Sequence, residues 1–313
     1  MTVRTCRAEP LVKPSGESRS DDHSPIRDIL HHYTRDSYVR RSASCESCDA
    51  PEAFAGGIID CATGIFEFDP SPRVARALGA FDVNRLDRYT PYAVEVLLKR
   101  AILDRFRPAG VTEQQVFLGH GSFNLLERLI HKFLQPGTML GIGPQFSEVP
   151  SEFAAAGGRY RSCPLLEPDG ALPMSALEHE LQSHACSVLY IDNPNNPLGR
   201  AFELSALERL AAICDRTGTA MLVDEAFADY LDDRASAIHL VPRYRNLIVV
   251  RSFSKALGLA GERIGYMFLS SEMARIWWRA FRYAPGVATG CLPPLPAWCC
   301  ATSAAPNASD GGP

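Results

Sequence analysis

Apolar residues between positions 58 and 281 follow two alternating patterns. Short, nearly continuous apolar runs predict strands, and longer stretches with apolar residues three and four positions apart predict amphipathic helices. The predicted strands are 116–119, 139–143, 188–192, 220–224, 247–251 and 264–269. The helical patterns between them include 122–134, 204–217 and 271–281.

This alternation predicts an α/β fold, in which a three-layer α/β/α domain is built around a mostly parallel, doubly wound sheet. In such folds, ligands bind at the carboxyl ends of the strands. We place this domain at 51–285, after a leader at 1–50 that mixes Ser, Asp, Arg and Pro without a period. The stretch 286–313 is rich in Pro, Ala and Cys and lacks either period, which predicts an irregular tail.

Charge and composition narrow the choice of partner. The formal net charge of -4 gives no basic footprint for nucleic acid or an anionic membrane. No stretch approaches the roughly eighteen apolar residues of a membrane span, and the first residues lack an apolar signal segment. We therefore expect a cytoplasmic protein with a small organic ligand. Cys45 and Cys48 form a CxxC without a second pair, so no metal is expected.

Polar residues follow three of the predicted strands. The run NPNNP at 193–197 comes directly after a buried strand and predicts a rigid turn that can present an amide side chain. The next strand ends in Asp224 and Glu225, and Lys255 follows the strand after that. Because ligands of open α/β sheets bind at the carboxyl ends of strands, these polar ends predict one common site.

Three motifs, NPNNPLG, VDEAFADY and RSFSKALGLAGERIGY, resemble in order and spacing the signatures of fold-type I aminotransferases, closest to the histidinol-phosphate aminotransferase group. The segments FLGHGSFNLLERL, GPQFSEV and LDRYTPY are also similar to that group. The resemblance implies a pyridoxal-phosphate transferase fold of type I. It also implies an enzyme that uses pyridoxal 5'-phosphate to move an amino group between an amino acid or amine and a keto acid or aldehyde, with ping-pong kinetics.

The resemblance gives each matching residue a role around the cofactor ring. Lys255 is the implied catalytic residue and holds the cofactor as a Schiff base, which requires a partly desolvated amine. Asp224 pairs with the protonated pyridine nitrogen, and Asn196 donates its amide to the phenolic oxygen. Phe146 stacks on the ring face. The alternatives are a surface lysine, an ordinary strand-end carboxylate, a turn-forming asparagine and a phenylalanine packed in the core.

The cofactor's phosphate is implied to lie in a cup formed by Gly121, Ser122 and Phe123, where a glycine-bearing turn opens a helix whose N-terminus favours an anion. Ser252 and Arg263 complete the cup, with the guanidinium binding phosphate oxygens as a fork. The alternatives are that Ser122 is the N-cap of the helix and that Arg263 is a surface charge.

A homodimer is implied by Tyr89. It lies in RYT, which is similar to a family segment that reaches across a dimer interface to the neighbour's phosphate. An ordinary packed tyrosine is the alternative.

Two departures from the family pattern bear on function. Phe227 stands where most relatives have a tyrosine beside the phenolic oxygen. Related threonine-phosphate decarboxylases resemble this chain at that position. Only 313 − 255 = 58 residues follow Lys255, so we expect the small C-terminal domain, with its arginine for the substrate carboxylate, to be incomplete. A decarboxylase or lyase and a catalytically idle, cofactor-binding fragment are therefore alternatives. The residues do not predict the amino donor, the acceptor or the pathway.

Overall fold

The structure, a computed structural model, describes residue 64 and residues 72–80, 91–165 and 171–280. These residues belong to one structural unit, which spans Pro51–Pro313. The predicted leader at 1–50, the tail at 286–313, the CxxC pair and Tyr89 lie outside the described residues.

Seven strands within the described ranges form one sheet. In chain order they are β1 (Val116–His120), β2 (Thr138–Gly143), β3 (Arg159–Pro164), β4 (Cys186–Asp192), β5 (Ala220–Asp224), β6 (Leu247–Ser252) and β7 (Ile264–Leu269). The order across the sheet is β1-β7-β6-β5-β4-β2-β3. Strand β7 runs antiparallel to β1 and β6, and the other pairs are parallel. The predicted mostly parallel sheet is confirmed, with all six predicted strands in it.

The sequence pattern does not predict the seventh strand, β3. This strand lies at the edge of the sheet, and Cys163 is its one buried residue. A strand that faces solvent along most of its length needs no apolar run, so the hydrophobic pattern carries no signal for it. Its pairing with β2 continues without interruption from Thr138 and Arg159 to Gly143 and Pro164.

Helices within the described ranges flank the sheet. They are α1 (Pro72–Gly79), α2 (Tyr92–Arg105), α3 (Gly121–Lys132), α4 (Glu148–Ala155), α5 (Met174–Ser183), α6 (Leu204–Thr217) and α7 (Ser271–Ala280). The three predicted helices correspond to α3, α6 and α7. None of the helices in these ranges is long and apolar enough to cross a lipid bilayer.

Alternate side chains along the strands enter two separate hydrophobic cores. In β4, Leu189 and Ile191 pack in the core that contains residues of α2, α5 and α6. Val188 and Tyr190 pack in the core that contains residues of α3, α4 and α7. Because successive strand residues face opposite sides of a sheet, both faces are covered by helices, which gives the three predicted layers.

A buried ionic network joins α2 to strand β6. Arg105 Nη2 and Arg251 Nη2 lie 2.7 Å and 2.8 Å from the same Asp229 Oδ1. Arg251 Nη1 also lies 3.4 Å from Glu225 Oε2, and the side chains of Arg251 and Glu225 are fully buried. Buried charges are tolerated only when they are paired, so the network fixes β5 and β6 relative to α2 just beneath the ends of these strands.

Candidate functional site

A cleft of about 250 Å³ lies where the carboxyl ends of β4, β5 and β6 meet the start of α3. Nine of the predicted site residues line it: Ser122, Phe123, Phe146, Asn196, Asp224, Phe227, Ser252, Lys255 and Arg263. Gly121 does not line the cleft but opens α3 beside it. These strands are parallel neighbours in the sheet, so their carboxyl ends meet at one edge, as the sequence predicts.

Lys255 is half-buried and lines this cleft. Its Nζ lies 5.0 Å from the centroid of the Phe227 ring. Burial lowers the pKa of Lys255, the negative charge of Asp224 opposes that shift, and the positive charge of Arg263 adds to it. A lowered pKa increases the fraction of neutral amine, which is the form that attacks a carbonyl carbon. The geometry therefore disfavours an ordinary surface lysine.

Asp224 is the last residue of β5 and is 5% exposed. Its carboxylate accepts a hydrogen bond from the backbone N–H of Ala226 at 3.0 Å and lies 3.4 Å from the Tyr190 hydroxyl, which donates to it. Burial raises the pKa of Asp224 to about 7, and the neighbouring carboxylate of Asp192 acts in the same direction. A buried carboxylate of this kind is stabilised by a ligand that brings a positive charge into the cleft.

Arg263 and the N-terminus of α3 form the cationic end of the cleft. Arg263 is exposed, yet it lines the cleft, and within the described ranges it is the one residue other than glycine with a positive φ, 53°. Its Nη1 donates to the Ala260 carbonyl oxygen at 3.0 Å. A guanidinium beside the unpaired N–H groups of a helix start is suited to bind an anion.

Two glycines allow Arg263 and strand β7 to lie close to the start of α3. A Cβ on Gly121 would lie 2.7 Å from Arg263 Nη2, and the φ of Gly121 is +78°. A Cβ on Gly265, in β7, would overlap with the Gly121 carbonyl carbon and the Ser122 nitrogen.

The N-cap position of α3 is His120, so the alternative role of Ser122 as N-cap is wrong.

Aromatic rings form the apolar walls of the cleft. Phe123 and Phe146 contact each other edge to face, with ring centroids 6.4 Å apart and an interplanar angle of 85°. Phe227 stacks on Tyr230 at 6.5 Å and 22°. Asn196 lies on the loop after β4 and lines the cleft, so its position fits the presentation of an amide as well as a role in the turn.

The sequence prediction omitted several residues of the cleft. Asp192 and Ser254 line it and carry polar groups. A Cβ on Gly64, which has a φ of +55°, would lie 3.3 Å from Phe227 Cζ and 3.9 Å from Lys255 Nζ. Asp192 could have been found by the rule that selected Asp224, because it too ends a buried strand. Gly64 has no side chain, and its place depends on a contact with residues far along the chain.

Comparison with known proteins identifies the relatives of this chain. Residues 57–284 match the sequence model of the family described as aminotransferase class I and II. The chain is 31% identical over 205 residues to a histidinol-phosphate aminotransferase of Thermobifida fusca, covering 64% of this chain and 54% of the relative. It is 34% identical over 218 residues to an aromatic amino acid aminotransferase of Rhodococcus opacus, covering 67% and 57%. The chain thus spans just over half the length of these curated relatives.

The fold is also shared with a solved structure, that of histidinol-phosphate aminotransferase from Sinorhizobium meliloti in complex with pyridoxal-5'-phosphate. The TM-score is 0.65 at 22% sequence identity, and the match covers 77% of this chain and 63% of that chain. At this level of identity the likeness carries the fold alone, and it confirms the predicted fold class.

Proposed function

The chain belongs to the class I and II aminotransferase family, and from that premise we propose that it binds pyridoxal 5'-phosphate and transfers amino groups between small molecules. Three groups that meet in one cleft support this proposal. These are the half-buried amine of Lys255, the buried carboxylate of Asp224 and the guanidinium of Arg263. The amine, the carboxylate and the guanidinium are suited to bind the aldehyde, the ring nitrogen and the phosphate of this cofactor, respectively.

The residues present fit the cofactor at each of its functional groups. Lys255 would be the attachment point for the aldehyde carbon, and Asp224 would hold the proton on the ring nitrogen. Ser122, Ser252 and Arg263 bind the phosphate at the start of α3. When bound, pyridoxal phosphate supplies an electron sink that stabilises negative charge on the substrate's Cα.

The remaining chemistry belongs to the chain's own groups. Released from the aldehyde carbon by the substrate's amino group, Lys255 Nζ would take the proton from the substrate's Cα. Its lowered pKa favours the neutral amine that this role requires. Phe146 would pack on the ring face, and Asn196 would donate its amide to the phenolic oxygen. Phe123, Phe146 and Phe227 line the cleft. Their apolar rings would exclude water around a bound cofactor, which strengthens the electrostatic contacts inside the cleft.

A decarboxylase or lyase that uses the same cofactor is the second candidate function, and Phe227 favours it. The ring of Phe227 brings no hydroxyl to the cofactor's phenolic oxygen, so the bound ring would have one hydrogen-bond donor fewer than in relatives with a tyrosine at this position.

Amino acids and phosphorylated amines are the proposed amino donors, and keto acids are the proposed acceptors. A homodimer and a cytoplasmic location are proposed on the sequence resemblance and on composition.

The test is a half-reaction. The purified protein, loaded with pyridoxal phosphate, is mixed with single amino donors in the absence of an acceptor. Ping-pong transamination predicts release of about one equivalent of keto acid per site, with turnover only after a keto acid is added. Lys255→Ala should abolish release, whereas Lys132→Ala, an exposed lysine at the end of α3, should not. Continuous release of carbon dioxide from one donor alone would instead support the decarboxylase.

A further inference from the structure

Asp192 is a buried carboxylate of the cleft to which the proposed reaction gives no role. It is the last residue of β4, is 3% exposed and lines the cleft. In the pairing of β4 with β5 it lies directly opposite Asp224. Burying a second carboxylate beside Asp224 costs free energy, so the contacts that compensate for it indicate what it does.

Three donors converge on the Asp192 carboxylate. Its Oδ2 accepts hydrogen bonds from the backbone N–H of Phe146 at 3.0 Å and from the backbone N–H of Asn196 at 2.9 Å. Its Oδ1 accepts from Asn195 Nδ2 at 2.8 Å. A buried N–H group left without an acceptor costs free energy, so an acceptor shared by these donors holds both segments firmly.

The two backbone contacts connect parts of the cleft that are distant in the sequence. Phe146 follows β2, and Asn196 lies in the loop after β4. Asn195 extends the same connection, because its Nδ2 also donates to the Pro144 carbonyl oxygen at 3.0 Å. One carboxylate thus fixes the residue that packs on the ring face relative to the residue that contacts the ring edge.

We propose that Asp192 is a positioning residue that holds Phe146 and Asn196 in the geometry required to bind the cofactor ring. The identity of the ring rests on the proposed function, whereas the anchoring of the two segments rests on the contacts alone. In this role Asp192 acts through the hydrogen bonds that it accepts from backbone N–H groups, and not through its charge. A neutral acceptor at this position should therefore preserve most of its role.

The alternative is that Asp192 acts on the cleft by its negative charge, as a second anion near the ring nitrogen. Two substitutions separate these roles. Asp192→Asn removes the charge but keeps an oxygen that can accept from the Phe146 and Asn196 N–H groups. Its amide nitrogen would then face Asn195 Nδ2, so only that third hydrogen bond is lost with the charge. Asp192→Ala removes the acceptor and the charge together.

Asn193→Ala is the matched control. Asn193 is 1% exposed, and its Oδ1 accepts from the Phe202 backbone N–H at 2.8 Å, so it anchors the same loop away from the cleft. Its loss should weaken the loop without touching Phe146 or Asn196.

The experiment combines two measurements on the full chain. Residue-resolved amide hydrogen exchange of the cofactor-free protein reports on the Phe146 and Asn196 N–H groups, and an absorbance titration gives the Kd for pyridoxal phosphate. Asp192→Ala should speed exchange at both amides by about tenfold or more and raise the Kd by a similar factor. Asp192→Asn should stay within roughly threefold of the unchanged protein in both measurements. Asn193→Ala should speed exchange at Phe202 alone and leave the Kd unchanged.

Unchanged exchange at Phe146 and Asn196 in Asp192→Ala would overturn the proposal. So would an Asp192→Asn protein that keeps both amides protected but binds pyridoxal phosphate as poorly as Asp192→Ala, because that result assigns the effect to charge. If the unchanged protein itself does not bind pyridoxal phosphate, the proposed function fails, and the exchange rates still decide whether Asp192 anchors the two segments.

Discussion

At the scale of single residues, the cleft keeps two ionisable groups away from their ordinary protonation behaviour. Burial lowers the pKa of Lys255 and raises that of Asp224. Both shifts favour neutral groups in the cofactor-free protein, because charged groups lose hydration when they are buried. A ligand that brings a cation to Asp224 reverses the second shift, so binding and ionisation are coupled.

The raised pKa of Asp224 predicts that the stability of the cofactor-free protein depends on pH. The pKa of Asp224 rises from its ordinary 3.8 to about 7 in the folded protein, so between these values the folded state holds a proton that the unfolded chain has released. The contribution of this group to the free energy of unfolding therefore falls as pH rises from about 4 to about 7. Asp224→Asn should make the cofactor-free protein more stable at pH 8, by roughly 2–4 kcal/mol, and by much less at pH 5. Urea denaturation at the two pH values measures the difference.

Asp232→Asn is the control for this prediction. Asp232 is an exposed carboxylate, and its hydrogen bonds with Arg234 lower its pKa to about 2. It is ionised in both folded and unfolded protein at pH 5 and pH 8, so its substitution should leave the difference between these pH values unchanged. An equal gain in stability for Asp224→Asn at pH 5 and pH 8 would contradict the explanation by burial.

At the scale of elements, hydrophobic periodicity predicts the strands and helices that pack a regular apolar face against the core. Helix α6 runs over the predicted residues, and β5 and β7 also match their predicted ranges. Helix α2 gives a weaker signal because its apolar residues are spread around the helix: Leu98 and Ile102 are buried, but Leu97 is 43% exposed. Tertiary packing decides which of these side chains is buried, so the buried face of α2 cannot be predicted from its sequence pattern alone.

The junction of α3 with β7 gives a prediction for a whole element. Gly265→Ala would place a methyl group against the backbone of Gly121 and Ser122, and no flexible side chain is there to move aside. The start of α3 must then shift, which should raise the Kd for pyridoxal phosphate about tenfold and destabilise the protein by roughly 1–3 kcal/mol. An absorbance titration and thermal unfolding measure the two effects.

Gly261→Ala is the matched control in the same segment, because a Cβ on Gly261 would meet nothing within 4 Å. It should change neither the Kd nor the melting temperature appreciably. If Gly265→Ala binds pyridoxal phosphate as tightly as Gly261→Ala, the close approach of β7 to α3 does not shape the phosphate cup.

At the scale of the whole molecule, the site depends on the order of strands in the sheet. The motifs predict that the turn at 193–197, Asp224 and Lys255 meet because they follow neighbouring parallel strands. The structure brings Asn196 of that turn, Asp224 and Lys255 to one cleft. The contact between Asp192 and the segment after β2 could not be predicted in the same way. It joins positions 46 residues apart and depends on backbone N–H groups, which every residue except proline carries.

Chemical trapping of the cofactor shows whether Lys255 is its attachment point. The purified protein is incubated with pyridoxal phosphate, reduced with borohydride, digested and analysed by mass spectrometry. A covalent link between the aldehyde carbon and Lys255 Nζ predicts that the peptide containing Lys255 carries the reduced pyridoxyl phosphate group in near-stoichiometric amount. It also predicts that Lys255→Ala protein carries none. An unmodified Lys255 peptide, or labelling spread equally over other lysines, would contradict the role of Lys255 as the attachment point.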